Sequence, residues 1–149
     1  MSWKKLLDQR RVAPEPATRE ELADLRELAA RALDDATLDA PLSPDGRFER
    51  AYAAARVLAT MVVRASGYRV KAAGGAHYTT FLALEAADPG SFARFAAYFN
   101  LCREKRNELA YVAPDRVSSE EVVEILREVP AFRDLVERWL RSKHPELGG

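Results

Sequence analysis

Four residues near the end of one predicted helix have the chemistry to hold an anion: Arg103, Arg106, Asn107 and Tyr111. An α-helix turns about 100° per residue, so this spacing places them in a single polar wedge of the helix surface. Two cations, an amide and a phenol suit an anionic group, most simply phosphate. The wedge therefore predicts a phosphate-binding site in which Arg103 and Arg106 supply the positive charge.

Arg106 is unusual because it continues an apolar stripe of the same helix. Residues three or four positions apart share one helix face, and this stripe consists of Phe92, Phe95, Phe99 and Cys102. An arginine in that position costs free energy unless its guanidinium is paired or reaches a cleft. Either Arg106 contributes to a ligand site, or it has a structural role. In the structural case it pairs with an acid on another helix, or extends over the core with its charged head in water.

The two histidines are the remaining candidates for acid–base chemistry. His77 lies at the end of a predicted loop, residues 68–77, that also contains Gly74 and Gly75. If this loop folds toward the wedge, the His77 imidazole supplies an acid or base there. The alternative is a helix-capping or core-edge histidine. His144 lies near a polar C-terminus and is predicted to be a surface residue.

The elements that carry these residues are all predicted to be helices. Alanine, leucine, glutamate and arginine dominate the sequence, and their side chains lose little rotamer freedom in a helix. Apolar residues recur at helical spacing and nowhere alternate cleanly with polar ones, so no strand is expected. The predicted helices cover residues 18–38, 44–67, 78–87, 91–112 and 118–143.

Capping residues and helix breakers set the predicted boundaries. Gly67 is expected to end the second helix in a left-handed conformation, and Pro130 to kink or restart the last one. The predicted N-caps are Thr18, Ser43, Ser91 and Ser118, of which Thr18 and Ser118 are followed three residues later by a glutamate that completes a capping box.

These elements predict one all-α domain, a four-to-five-helix up-and-down bundle over residues 18–143. An N-terminal extension at residues 1–17 and a C-terminal tail at residues 144–149 flank it. The chain has 149 residues, enough for one domain to bury a substantial core.

Composition narrows the classes of protein that need to be considered. The 23 basic and 23 acidic residues cancel, so no global positive field indicates nucleic acid, although local patches are allowed. Cys102 is the only cysteine and the two histidines are far apart, so we expect no disulfide, metal site or cofactor. No apolar run is long enough for a signal peptide or a membrane span. We expect a soluble, cytoplasmic protein without a membrane partner.

Two stretches of the sequence resemble the HEPN family. The segment from Arg106 through Asn107 to Tyr111 resembles the HEPN motif, in which an arginine and a polar residue are followed, after four to six positions, by a histidine. Tyr52, Ala55, Ala59, Gly67 and His77 resemble the tyrosine- and alanine-rich HEPN helix, its terminal glycine and the histidine of the next segment. The similarity covers roughly residues 43–129.

The resemblance implies a HEPN-like helical bundle that forms a homodimer with two motifs in a shared cleft. Many such proteins are metal-independent ribonucleases, often toxins with an antitoxin or nucleotidyltransferase partner, and others are inactive binding modules. In the active type the arginine stabilises charge on the phosphate and the histidine is the acid or base. This implies catalytic roles for Arg106 and Asn107.

The sequence departs from the family pattern at Tyr111, which occupies the position of the motif histidine. A phenol with an ordinary pKa of about 10 is a poor base at neutral pH, although it can donate a hydrogen bond to phosphate. The leading hypothesis is therefore a homodimer that binds RNA or a nucleotide at Arg106. One alternative is an active endoribonuclease in which Tyr111 or His77 replaces the histidine. Another is a non-catalytic scaffold or antitoxin-type protein.

Overall fold

The computed structural model describes residues 1–37, 42–111 and 116–148, without the side chains of residues 110 and 111. Most of these residues are helical, which confirms the predicted all-α bundle. The elements in chain order are α1 (Trp3–Asp8), β1 (Val12–Pro14), α2 (Arg19–Thr37), α3 (Pro44–Ala65), β2 (Tyr68–Val70), α4 (Ala76–Ala87), α5 (Pro89–Tyr111), α6 (Ser119–Lys143) and a final 3-10 turn (Pro145–Leu147).

Helix α3 lies at the centre of the bundle, in contact with α2, α4, α5 and α6. Small side chains allow this close packing, and Ala51, Ala54, Ala55 and Ala59 are all fully buried on α3. A cluster of aromatic rings fills the space between α4, α5 and α6, where the ring centroids of Phe99 and Phe132 are 5.0 Å apart. Burial of this apolar surface is the main stabilising contribution.

The prediction that the chain has no strand is wrong. β1 and β2 form an antiparallel pair in which Val12 lies opposite Val70 and Pro14 opposite Tyr68. Each strand has only three residues, too few for alternation to be visible in the sequence. Their pairing depends on bringing together two distant segments, which only the tertiary structure does.

Residues 1–17 pack against the bundle through α1 and β1. Leu6 and Val12 are buried in a small second core with Val63 of α3 and Ala83 of α4. The Trp3 ring stacks on Tyr68 with 4.2 Å between their centroids. The segment predicted as an N-terminal extension therefore contributes to the packed structure.

Arg64 of α3 is a buried arginine, with 5% of its surface exposed. Its guanidinium pairs with both Glu21 and Glu15 and donates hydrogen bonds to the backbone carbonyls of Glu15, Pro16 and Tyr68. The hydrogen bond from Arg64 lowers the pKa of Glu21, and the same contact raises the pKa of Arg64. Because every part of the group is paired, its burial is tolerated and it fastens residues 15–21 to α3.

Most predicted helix boundaries agree with the structure. Ser43 accepts a hydrogen bond from the Gly46 amide, and Ser118 forms a complete capping box with Glu121. Thr18 caps α2 by accepting from the Glu21 amide. Gly67 has a φ of 92°, the left-handed conformation expected after α3.

One boundary prediction is wrong, and one of the two alternatives predicted at Pro130 is wrong as well. Asp88, not Ser91, caps α5: its carboxylate accepts from the Ser91 amide at 3.3 Å, and Pro89 takes the first helical position. Helix α6 does not restart at Pro130 but continues through it to Lys143, and the kink stays a prediction. Val129 and Phe132 are fully buried on either side, and their packing offsets the hydrogen bond that proline removes.

None of the described helices combines the length and apolar character needed to cross a bilayer.

Candidate anion-binding site

A pocket of about 410 Å³ opens between α3 and the ends of α4 and α5 that carry His77 and Arg106. Its polar lining includes three arginines and one glutamate, so its net charge is positive. Of these, Arg50 also lies 3.7 Å from Asp35 of α2 in an exposed ion pair. The polar and charged side chains that line it are Glu49, Arg50, Tyr52, Arg56, His77 and Arg106.

Helix α3 provides one wall of the pocket through residues spaced by three and four positions. Glu49, Tyr52, Ala53 and Arg56 fall on one face of the helix for that reason. The Tyr52 ring is buried, with 2% of the residue exposed, and it meets Phe81 edge-on with 6.1 Å between the centroids. The aromatic core thus fixes the position of the Tyr52 hydroxyl.

The position of His77 differs from the predicted loop. Helix α4 begins at Ala76, so His77 lies in its first turn. Because residues 68–70 form strand β2, the loop before α4 is also shorter than predicted. Gly75 precedes the helix with a φ of 84°, a conformation that favours glycine. This turn brings the imidazole against α3.

The hydroxyl of Tyr52 and Nδ1 of His77 are 3.2 Å apart. Burial raises the pKa of Tyr52 to about 12, against the opposing effect of Arg56, Arg106 and Arg103. Burial, followed by the positive charges of the same three arginines, lowers the pKa of His77. At neutral pH the pair is therefore an uncharged phenol next to an uncharged imidazole.

Arg106 reaches the pocket from α5. Its side chain is 31% exposed, and its Nε atom lies 3.5 Å from the Glu49 carboxylate. Glu49 is itself 54% exposed, so this ion pair is a partly solvated one. Arg106 therefore has an acidic neighbour on another helix, as expected for a structural arginine. It also lines the cleft, as expected for an arginine of a ligand site.

The other residues of the predicted wedge do not all share this pocket. Arg103 and Asn107 line a neighbouring cavity, and the Arg103 guanidinium lies over the ring of Tyr78, 5.2 Å from its centroid. Arg103 also donates a hydrogen bond to Asn100. The side chain of Tyr111, the last residue of α5, lies outside the described residues.

Sequence reasoning did not identify Arg56 or the hydroxyl of Tyr52 as site groups. A signal for both exists, because Glu49, Tyr52 and Arg56 interrupt a helix that is otherwise rich in alanine and valine, at spacings of three and four. Among the described residues, no carboxylate oxygen lies within 4 Å of the Arg56 guanidinium. Arg56 is thus the pocket cation least neutralised by the protein itself.

No protein-family model, characterised protein or solved structure matches this chain. Within the part of the chain that the structure describes, no three histidine, cysteine or acidic side chains lie close enough together to hold a metal ion.

The tautomer of His77 determines what the pair can do. If the Tyr52 hydroxyl donates to Nδ1, the imidazole proton is on Nε2 and the ring can donate to an anion. If Nδ1 instead donates to the phenol, Nε2 is free to act as a base, but the hydroxyl proton then has no acceptor among the described residues. The first arrangement leaves fewer polar atoms of the pair without a partner, and its Nε2 proton is available to a ligand, which favours anion binding.

Proposed function

We propose that the pocket binds a phosphate group carried by RNA or a nucleotide. The observation that supports this proposal is the approach of Arg56 and Arg106 to the uncharged Tyr52–His77 pair in one open cavity. Guanidinium groups present several donors in a plane and match the oxygen atoms of phosphate. The imidazole Nε2 proton adds a neutral donor to these charged ones.

The charge balance supports an anion more strongly than a neutral ligand. Glu49 is the only acid among the described residues that line the pocket, and it faces Arg106 at 3.5 Å. Among the described residues, Arg56 has no such neighbour. A bound phosphate would supply the missing negative charge, and partial removal of water would strengthen each charged hydrogen bond.

A second candidate function is metal-independent cleavage of RNA. It is favoured by the presence of an imidazole beside two guanidinium groups, because these supply an acid–base group and electrostatic stabilisation of a phosphate. A phosphate in the pocket would raise the pKa of His77 by offsetting the nearby arginines. His77 would then be able to exchange a proton near neutral pH, with Arg106 stabilising the developing charge.

The resemblance to HEPN proteins extends the proposal to the biological setting. We infer a cytoplasmic homodimer in which two copies of the pocket act together, within a toxin–antitoxin or defence pair. Its partner would be an antitoxin or a nucleotidyltransferase. Sedimentation of the purified chain tests the homodimer, and co-purification with the product of the neighbouring gene tests the partner.

The decisive experiment is binding of a fluorescently labelled single-stranded RNA in EDTA. Arg56→Ala and Arg106→Ala should each weaken RNA binding by about tenfold or more, because each variant loses at least one charge-assisted hydrogen bond to the phosphate. Arg31→Ala is the matched control, because Arg31 is an exposed arginine paired with Glu27 on α2. Equal affinities for all four proteins would exclude the pocket as the binding site.

The same samples test cleavage. Gel analysis of the RNA after incubation should show intact RNA if the protein only binds it. Fragments produced by the parent protein, and lost in both Arg106→Ala and His77→Gln, would establish the second candidate function instead.

A further inference from the structure

A second cavity of about 420 Å³ adjoins the arginine pocket, and His77 and Arg106 line both. Its other walls are formed by Tyr78, Arg103 and Asn107, together with small residues at the start of α4. The two cavities therefore meet at the groups proposed to hold phosphate. A ligand held there has space to extend beyond its phosphate.

The flat surfaces of this second cavity suit an aromatic ring. Tyr78 is 37% exposed, and two guanidinium groups lie over its ring, that of Arg103 at 5.2 Å and that of Arg11 at 5.7 Å from the centroid. Arg103 is further held by its hydrogen bond to Asn100 at 2.9 Å. Both planar groups are thereby fixed in place, and planar side chains of this kind are those on which nucleobases stack.

Asn107 adds hydrogen-bonding capacity to the same cavity. Its side-chain amide has both a donor and an acceptor, and within the described part of the chain it makes no hydrogen bond. The edge of a nucleobase likewise presents donors and acceptors side by side, and asparagine is a frequent partner of such edges. A bare phosphate, by contrast, would use only the donor half of this amide.

We propose that the second cavity binds the nucleobase of the ligand whose phosphate lies between Arg56 and Arg106. This inference rests on the proposed function, since it assigns the remainder of the same ligand. Arg103, packed against the Tyr78 ring, provides the stacking surface, and Asn107 reads the edge of the base. The ligand class is then a nucleotide or a nucleotide unit of RNA, recognised by its base as well as its phosphate.

Calorimetric titration with ribose 5-phosphate and with each of AMP, CMP, GMP and UMP tests the assignment. At least one nucleotide should bind about tenfold more tightly than ribose 5-phosphate, as expected for stacking of a base. In Asn107→Ala and in Tyr78→Ala that preference should disappear, so that each nucleotide binds with the same affinity as ribose 5-phosphate does to the same variant. Arg56→Ala should weaken the binding of ribose 5-phosphate and of all four nucleotides by a similar factor.

The possible failures are distinguishable. Equal affinities for ribose 5-phosphate and all four nucleotides, with loss of binding in Arg56→Ala, would overturn the base-binding cavity and leave the phosphate site standing. A nucleotide preference that survives both Asn107→Ala and Tyr78→Ala would also overturn it. If no ligand binds, or if the affinities are the same in Arg56→Ala as in the parent protein, both the phosphate site and the base-binding cavity are overturned.

Discussion

Nδ1 of His77 lies 3.2 Å from the phenolic oxygen of Tyr52, which joins the first turn of α4 to the middle of α3. The contact fixes an uncharged imidazole at the edge of an arginine-lined pocket. Because the pKa of Tyr52 is raised to about 12, the phenol keeps its proton throughout the physiological range. The pair is therefore built around a neutral hydrogen bond and not around an ion pair.

The first prediction concerns the proton on His77. We expect the Nε2-protonated tautomer, because the Tyr52 hydroxyl then donates to Nδ1. Long-range proton–nitrogen NMR correlations at pH 8 report the tautomer directly. In Tyr52→Phe, which removes only the hydroxyl, the two tautomers should mix and stability should fall by about 1 kcal/mol. A predominantly Nδ1-protonated ring in the parent protein would contradict this arrangement and favour His77 as a base.

The second prediction concerns stability at low pH. The pKa of His77 is lowered in the folded protein, first by burial and then by Arg56, Arg106 and Arg103. Below an unfolded-state pKa of about 6.5, the unfolded chain binds a proton that the folded chain resists. Neutral His77 therefore makes its full contribution to the free energy of unfolding above that pH. The contribution is lost as the pH falls through the pKa that His77 has in the folded protein.

Urea unfolding of the parent and His77→Gln between pH 5 and pH 8 measures this effect. The difference in stability between the two proteins should shift in favour of the variant as the pH falls below about 6.5. A difference that stays constant across the range would mean that His77 titrates with its ordinary pKa. Added phosphate should reduce the pH dependence, because a bound anion offsets the three arginines.

The third prediction separates the structural arginine from the ligand-binding one. Arg64→Ala leaves Glu21 and several backbone carbonyls without their buried partner, so it should cost about 3–5 kcal/mol in unfolding free energy. Arg106→Ala removes a partly exposed ion pair with Glu49 and should cost no more than about 1 kcal/mol. Chemical denaturation compares the two. If Arg106→Ala were as destabilising as Arg64→Ala, Arg106 would be a structural residue and the scaffold hypothesis would gain support.

The fourth prediction concerns Cys102, which is 4% exposed on α5. Burial raises the pKa of its thiol to about 12, so almost no thiolate is present at pH 8. Alkylation by iodoacetamide should therefore be at least about 100-fold slower in the folded protein than in urea. The rate can be followed by mass spectrometry. Rapid modification of the folded protein would show that this part of α5 opens readily.

Several features followed from local sequence. The helices at residues 44–65 and 119–143 were predictable because their apolar periodicity coincides with the caps Ser43 and Ser118. The burial of Cys102 followed from the aromatic stripe of α5 in the same way. Such features depend on residues a few positions apart, whose relative placement helix geometry alone determines.

The site was only partly predictable. Arg106 was identified because a cation interrupts an apolar stripe, and the structure puts it at the pocket edge beside Glu49. Arg103 and Asn107 are predicted to lie beside it, and they line the neighbouring cavity together with Arg106 and His77. A similar anomaly occurs at Arg64, where a cation stands among apolar residues of α3, and in the described part of the chain this arginine is buried in ion pairs with Glu15 and Glu21.

The fold class, the main helix boundaries and the arginine-rich helix end can all be predicted from the sequence, because each depends on local geometry and side-chain propensity. Three other features depend on tertiary packing: His77 meets Tyr52, Arg56 and Arg106 line one pocket, and residues 12–14 pair with residues 68–70. These contacts join segments far apart in the chain. Their formation depends on how the buried faces of α3, α4 and α5 pack together, which no local pattern encodes.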